Sequence, residues 1–304
     1  MTFYDEIKQY SWNRVAEEIN SKTKDDVIRA LNHAGKGSLS DFMALLSPAA
    51  SPFLEEMARI SQQLTLKRFG KTIQLYIPLY LSNECTNFCV YCGFNHDNKI
   101  ERHTLLRQEI KAEAIKIKEM GFEHLLLVTG EHKAKAGTDY LLSALEELKD
   151  QFAQISIEVQ PLKEDEYKTL ADAGLNSVYI YQETYNEKNY NIYHPKGKKA
   201  DYQNRLETPD RLGSAEIHKI GLGVLLGLED WRVDSFFTAL HLRYLQKKYW
   251  KTKYSVSFPR LRPFEGSYQP NFNISDKELV QLITAYRILD ENVELALSTR
   301  ESPA

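Results

Sequence analysis

Cys85, Cys89 and Cys92 are the only cysteines of the 304-residue chain, and they fall within eight residues of one another. An odd, crowded set of thiols cannot pair off evenly as disulfides, and in a reducing compartment such thiols serve metal. Spacings of four and three residues let one loop wrap three thiolates around three corners of a cubic iron-sulfur cluster. Such clusters normally take four cysteines, so a set of three leaves one iron open to bind and activate a small molecule. The competing reading is a structural zinc site in which His96, four residues after Cys92, completes a tetrahedral set of three Cys and one His. One loop would then supply every ligand, whereas structural zinc sites tend to draw ligand pairs from two loops. Unrelated buried thiols fit less well still, because Asn83, Thr86 and Asn87 make the loop polar.

The elements around the loop determine where it sits. From about residue 70 onward, short β-branched and aromatic runs alternate with amphipathic stretches of helical period, the pattern of parallel βαβ units. The runs are Ile73 to Leu81, His124 to Thr129, Ile155 to Val159, Ser177 to Gln182, Ile220 to Leu226, Tyr254 to Phe258 and Glu294 to Ser298. Between them the spacing predicts helices from Arg107 to Met120, Asp139 to Phe152, Glu164 to Ala173, Pro209 to Lys219, Val233 to Tyr249 and Ser275 to Leu289. Residues 1–70 read as a helical lead-in, with helices over Tyr4 to Ile19, Ser40 to Leu46 and Phe53 to Phe69, the last ended by Gly70. The expected fold is therefore α/β, a TIM-type (βα) barrel over residues 71–304 with N-terminal helices and the eighth βα unit missing. An open doubly wound sheet is the alternative, since periodicity does not choose between the two closures. In a barrel, the cysteine loop follows the first strand directly and lies at the C-terminal face, where such folds keep their active sites.

Composition narrows the partners. Hydrophobic residues make up 42% and charged residues 27%, as in an ordinary globular protein, and the net charge of −3 attracts neither nucleic acid nor an anionic membrane. No apolar run approaches the length of a membrane span, and Asp5, Glu6, Lys8, Arg14, Glu17 and Glu18 occupy the stretch where a signal peptide would be apolar, so the expected location is cytoplasmic. Lys196, Lys198 and Lys199 read as a solvated loop. The 18 tyrosines read as core or rim residues, as at Tyr179 and Tyr181. Gly221 and Gly223 lack the third glycine of a dinucleotide fingerprint.

The motif Cys-x3-Cys-x2-Cys, with aromatic Tyr91 before its last cysteine, resembles the signature of the radical S-adenosylmethionine superfamily, whose open iron binds the methionyl amine and carboxylate. Further segments resemble one branch of it: Leu126 to His132, Glu158-Val-Gln-Pro161, Tyr181 to Tyr185, Arg205 to Arg211, Gly221 to Gly227, Ser257 to Pro263 and Leu297 to Pro303. These are similar to the tyrosine lyase family of thiamine biosynthesis, the 2-iminoacetate synthases. The resemblance implies a four-iron four-sulfur cluster on Cys85, Cys89 and Cys92, and S-adenosylmethionine as co-substrate. It implies that Tyr91, Glu131, Glu183 and Arg205 contact that cofactor, Arg205 by a fork onto the methionyl carboxylate. Arg300, next to two hydroxyl residues, would hold the substrate carboxylate, and Arg260 and Arg262 are weaker candidates at the barrel mouth.

The implied reaction uses a reduced cluster to cleave S-adenosylmethionine. The resulting 5′-deoxyadenosyl radical takes hydrogen from the amino group of L-tyrosine, and the Cα–Cβ bond breaks to give p-cresol and 2-iminoacetate. A reductant such as flavodoxin or ferredoxin and a thiazole synthase are the implied protein partners. The family usually continues for roughly 70 residues that supply the last barrel strand. A chain ending at Ala304 is thus expected to bind cluster and cofactor while forming little p-cresol. The rival readings are the tyrosine lyase of iron-only hydrogenase maturation and a non-catalytic or zinc-bound protein.

Overall fold

In His124–Thr129 (β2), Leu125 and Leu127 join the main apolar core, while Leu126 between them is buried outside that core and Val128 stays partly open. The same alternation recurs in Gln154–Glu158 (β3), where Ile155 and Ile157 face the helical layer and Ser156 and Glu158 point the other way. A computed structural model describes residues 2–264, 266–297 and 301 of the chain. Its sheet also contains Tyr76–Ser82 (β1), Ser177–Tyr179 (β4), Lys219–Gly223 (β5), Lys253–Ser257 (β6) and Glu294–Ala296 (β7). The seven strands lie in the order β1-β2-β3-β4-β5-β6-β7, every neighbouring pair parallel. A doubly wound sheet reverses its order at a switch point. The monotonic order rules that out and makes the sheet a curled half-barrel, with β1 and β7 at its edges.

The concave face is built from aromatics lying over glycines. A Cβ on Gly221 of β5 would overlap the Tyr179 ring, and one on Gly223 would fall 2.9 Å from the Tyr181 ring. These glycines therefore make room for tyrosines inside the barrel. The pairing of β4 with β5 continues past the last ladder residue through Ile180 N–H to the Gly221 carbonyl at 3.0 Å and Gln182 N–H to the Gly223 carbonyl at 3.1 Å. That continuation carries Glu183 to the mouth.

Outside the sheet, helices pack as the periodicity requires, with three revisions. The stretch from Tyr4 to Ile19 is two helices, Phe3–Ile7 and Trp12–Ser21, because the chain turns extended at Ser11. A helix over Lys24–Asn32 begins at a capping box in which Thr23 accepts from the Asp26 N–H and Asp26 accepts from the Thr23 N–H. The region expected as a helix from Pro209 to Lys219 is a helix over Thr208–Ser214; the chain turns at Glu216, whose φ is 57°, and then enters β5.

The N-terminal helices contribute Phe3, Val15, Ile19, Phe42 and Met57 to the same continuous apolar core as the strands. They pack on Trp231–Lys248 and Asp276–Leu289, the helices that follow β5 and β6. Polar clamps fix that contact: the Gln281 amide donates to the Leu45 and Ser47 carbonyls at 2.8 and 3.0 Å, and Arg232 Nε donates to the Leu46 carbonyl at 3.0 Å. No described helix is long and apolar enough to cross a membrane.

Candidate active site at the mouth of the barrel

The loop after β1 is irregular, so its shape comes from side chains and neighbouring backbone. Arg102 is its main staple. Its Nη1 donates to the Asn83 and Phe94 carbonyls at 2.7 and 3.0 Å, and its Nη2 to the Asn95 and Asn98 carbonyls at 2.6 and 3.2 Å. A second wall is the segment after Tyr193: Phe88 N–H donates to the Lys196 carbonyl and Val90 N–H to the Tyr193 carbonyl, both at 3.1 Å. The exit of β2 forms the third. Thr86 donates to the Glu131 carbonyl from its N–H at 3.1 Å and its hydroxyl at 2.9 Å. Gly130 permits this approach, since a Cβ there would run into the Glu84 carbonyl and lie 3.1 Å from the Cβ of Cys85.

The cysteines stand on this stapled loop as free thiols, Cys89 buried and Cys85 and Cys92 partly so. Burial pushes the Cys89 thiol up to about 12 and the Cys92 thiol upward, with the Lys199 ammonium the first influence opposing it. Thiols in this position ionise when a metal takes the proton's place. Among the described residues, no three His, Cys, Asp or Glu side chains converge on a point where one metal ion could sit. His96, the proposed fourth zinc ligand, has its Nδ1 3.2 Å from the Cys85 carbonyl oxygen and its ring against Phe88. The donor set therefore fits an iron-sulfur cluster with one open iron.

Tyr91 is buried, and its hydroxyl lies 2.7 Å from His194 Nε2. His194 Nδ1 is 3.0 Å from the Tyr190 carbonyl. A carbonyl only accepts, so Nδ1 carries the proton and Nε2 accepts from the Tyr91 hydroxyl. Burial keeps this imidazole neutral, lowering its pKa to about 2.

Glu131, which follows β2, and Glu183 and Arg205, which both follow β4, meet beside the cysteine loop. Arg205 Nη1 donates to Glu131 Oε1 at 2.9 Å, its Nη2 lies 3.6 Å from Glu183 Oε1, and its Nε donates to the Tyr181 carbonyl at 2.6 Å. The Asn87 amide donates to the other Glu131 oxygen at 2.8 Å. Burial alone would raise the Glu131 carboxyl, yet Arg205, Lys199 and Asn87 hold it below the usual carboxylate range. Glu183 has a φ of 70°, a left-handed conformation that a non-glycine residue adopts at a cost of about 1–3 kcal/mol. That strain aims its carboxylate at the two cations.

Lys199 is not a solvated loop residue: its ammonium donates to Glu183 Oε1 at 2.6 Å, and only 12% of its side chain is exposed. Charge-run reasoning missed it because Lys196 and Lys198 beside it set the local polarity. Its folding inward follows from Gly197, which takes a φ of 102°, and from the Lys199 N–H donating to Asn87 Oδ1 at 3.0 Å. Asn87, Arg102 and His194 were also missed. Polar residues crowded between cysteines were the available signal for Asn87.

Other candidates fall elsewhere. Arg260 and Arg262 do point the same way, both onto Glu301, and Arg260 also donates to Asp276 at 2.6 Å. Arg300 lies outside the described residues. Asp210, a possible structural partner of Arg205, instead accepts from Lys248, Tyr244 and Tyr249.

The family model described as the Radical SAM superfamily matches residues 79–240, and that of the Biotin and Thiamin Synthesis associated domain matches residues 257–304. Half-barrel, cysteine loop and charged mouth thus define a radical S-adenosylmethionine enzyme. Over 303 residues the chain is 55% identical to the 2-iminoacetate synthase of Escherichia coli strain K12, covering 99% of this chain and 80% of that protein. The corresponding enzyme of Salmonella typhimurium is 53% identical over the same shares. The chain belongs to the 2-iminoacetate synthase family, the radical S-adenosylmethionine tyrosine lyases of thiamine biosynthesis, which use a four-iron four-sulfur cluster. A crystal structure of HydG, a maturase of the FeFe-hydrogenase, superposes with a TM-score of 0.92 over 96% of this chain and 67% of that one, at 28% identity. Methylornithine synthase PylB, at 19% identity and a TM-score of 0.66, shows the fold alone. The much higher identity to the thiamine enzymes favours them over the hydrogenase branch.

Proposed function

We propose that Cys85, Cys89 and Cys92 hold the cluster, that Glu131, Glu183, Arg205 and Tyr91 hold S-adenosylmethionine against it, and that Arg300 receives the carboxylate of L-tyrosine. When bound, the cluster and S-adenosylmethionine supply one-electron chemistry that ends in a carbon-centred radical. What remains for the chain is to bind, orient and exclude water.

The observation that carries this reading is the largely buried set of Glu131, Glu183, Arg205 and Lys199 beside three free thiols. Two carboxylates and two cations suit a zwitterionic amino-acid moiety: the methionyl ammonium replaces a cation at Glu131 or Glu183, and the methionyl carboxylate takes the freed guanidinium. Arg205 is held through Nε to the Tyr181 carbonyl, which fixes its fork while Nη1 and Nη2 exchange partners. Tyr91, fastened by His194, presents an aromatic surface between Cys89 and Cys92. Its hydroxyl is already engaged, so it acts through its ring and not as a proton donor.

The inward tyrosines Tyr179 and Tyr181 give the lumen an aromatic wall suited to an aromatic amino acid. A flavodoxin or ferredoxin is the reductant class this chemistry requires, and a thiazole synthase is the proposed consumer of 2-iminoacetate, in the cytoplasm. Residues 1–70 act as a helical lead-in bracing the barrel formed by residues 71–304. The test is an anaerobic assay of the reconstituted chain with S-adenosylmethionine, dithionite and L-tyrosine. Tyrosine-dependent formation of p-cresol together with 5′-deoxyadenosine supports the reading. Failure to form 5′-deoxyadenosine from S-adenosylmethionine and dithionite counts against the cluster and cofactor roles proposed here.

A further inference from the structure

Lys199 belongs to the charged set above but has no contact of its own assigned there, and a lysine with only 12% of its side chain exposed is unusual unless something compensates its charge. Four contacts fix where it sits. Its ammonium is 2.6 Å from Glu183 Oε1 and lies 5.8 Å from the centre of the Tyr91 ring, the residue directly before Cys92. Its own N–H is bonded to Asn87, two residues before Cys89, and the carbonyl of Lys196 accepts from Phe88, the residue before Cys89. The lysine is thus strapped to the cysteine loop from both its backbone and its side chain.

The charge balance of the mouth shows what it does there. Glu131 and Glu183 carry two negative charges, and Arg205 and Lys199 two positive ones, so the set is neutral before any thiolate forms. Three thiolates on a cluster core add negative charge to a poorly solvated loop, and reduction adds another electron. A cation at this range favours both events, because in a weakly polarisable surrounding the interaction is screened far less than in water. Arg205 is committed to Glu131 and to the Tyr181 carbonyl. Arg102 is spent on four carbonyls of the cysteine loop and Lys196 lies over the Phe88 ring, whereas Lys199 faces Glu183 and the Tyr91 ring between Cys89 and Cys92.

We infer that Lys199 is a positioning residue that sets the electrostatic environment of the cluster, its ammonium making the cluster easier to reduce. This rests on the proposed placement of the cluster on the three cysteines. The sign follows from Coulomb's law: a nearby positive charge lowers the energy of the more negative, reduced state. Arginine in its place would keep that charge, and methionine would keep only the length.

The measurement is a redox titration of the anaerobically reconstituted chain in the absence of S-adenosylmethionine, followed by visible absorption and electron paramagnetic resonance. At a fixed solution potential near the wild-type midpoint, Lys199→Met is expected to lower the ratio of reduced to oxidised cluster about tenfold, a shift of about 59 mV for one electron. Lys199→Arg is expected to remain close to wild type. Glu183→Gln, which leaves the lysine and removes a negative charge, should shift the ratio the other way. A Lys199→Met protein with full iron content and a wild-type midpoint overturns the inference, as does a Lys199→Arg protein shifted as far as Lys199→Met. Should Lys199→Met take up no iron, Glu183→Gln decides: easier reduction supports the inference, and an unmoved midpoint overturns it. Failure of the underlying placement looks different, because the wild-type chain itself would then assemble no cluster.

Discussion

Arg205 is 6% exposed and bears on two carboxylates at once, so its removal is felt twice. Arg205→Ala should weaken S-adenosylmethionine binding by about 1.5–3 kcal/mol, the range for a lost charge-assisted contact. It should also leave Glu131 buried without its principal cation, so that the site takes up a proton in a pH range where the wild type does not. Isothermal titration at two pH values separates these effects, and unchanged binding would make the arginine structural. The buried imidazoles carry a second consequence. His194 and His241 are held neutral by burial, with pKa values lowered to about 2 and about 3 from the usual 6.5. Their folded-state values are depressed, so each contributes stability that is whole above pH 6.5 and is lost as pH falls toward those values. The unfolded chain takes the proton first. The slope is at most about 1.4 kcal/mol per pH unit for each group. Melting of the metal-free protein should decline below pH 6.5, and His241→Gln should flatten the decline; identical slopes would remove His241 as a cause. Cys85, Cys89 and Cys92 stand out in the sequence by their spacing, whereas Glu131, Glu183 and Arg205 are picked out through the family resemblance, and the structure brings those three together. Lys199 and His194 were not legible, since burial of a lysine or a histidine is decided by long-range packing that no local pattern encodes.

At the scale of elements, the cysteine loop has no regular structure to hold it, and Arg102 substitutes for one by donating to four carbonyl oxygens. Removing it leaves several carbonyls short of a donor. Arg102→Met should destabilise the loop by about 2–4 kcal/mol and reduce iron loading during reconstitution, while far-ultraviolet circular dichroism remains unchanged. Wild-type iron content in that variant would show that the other two walls suffice. The strands were legible to within a few residues because their apolar alternation is strong, β2 being bounded just as its residues suggest. Helix ends were less so. Tyr4 to Ile19 keeps its apolar period across the break at Ser11, and periodicity cannot see an extended residue that leaves the phase intact. The Thr23 capping box was there to be read, as Thr-x-x-Asp, and it starts the helix that was missed.

For the whole molecule, the order of the strands is what periodicity could not supply. Alternating strands and helices fit either a barrel or a doubly wound sheet. The choice is made by packing between distant units, including the tyrosines of β4 that fill space left by the glycines of β5. Sequential winding brings the exits of β1, β2 and β4 together at one mouth, so that residues up to about 120 positions apart form one site. The mouth so formed is proposed to hold a cluster on three cysteines. The direct measurement is iron, sulfide and zinc content with a visible spectrum on protein purified and reconstituted without oxygen. About four irons per chain are expected, with broad visible absorption that is abolished by alanine at any one of Cys85, Cys89 or Cys92. One zinc per chain with no such absorption, or a full complement of iron retained after loss of one of these cysteines, would contradict it.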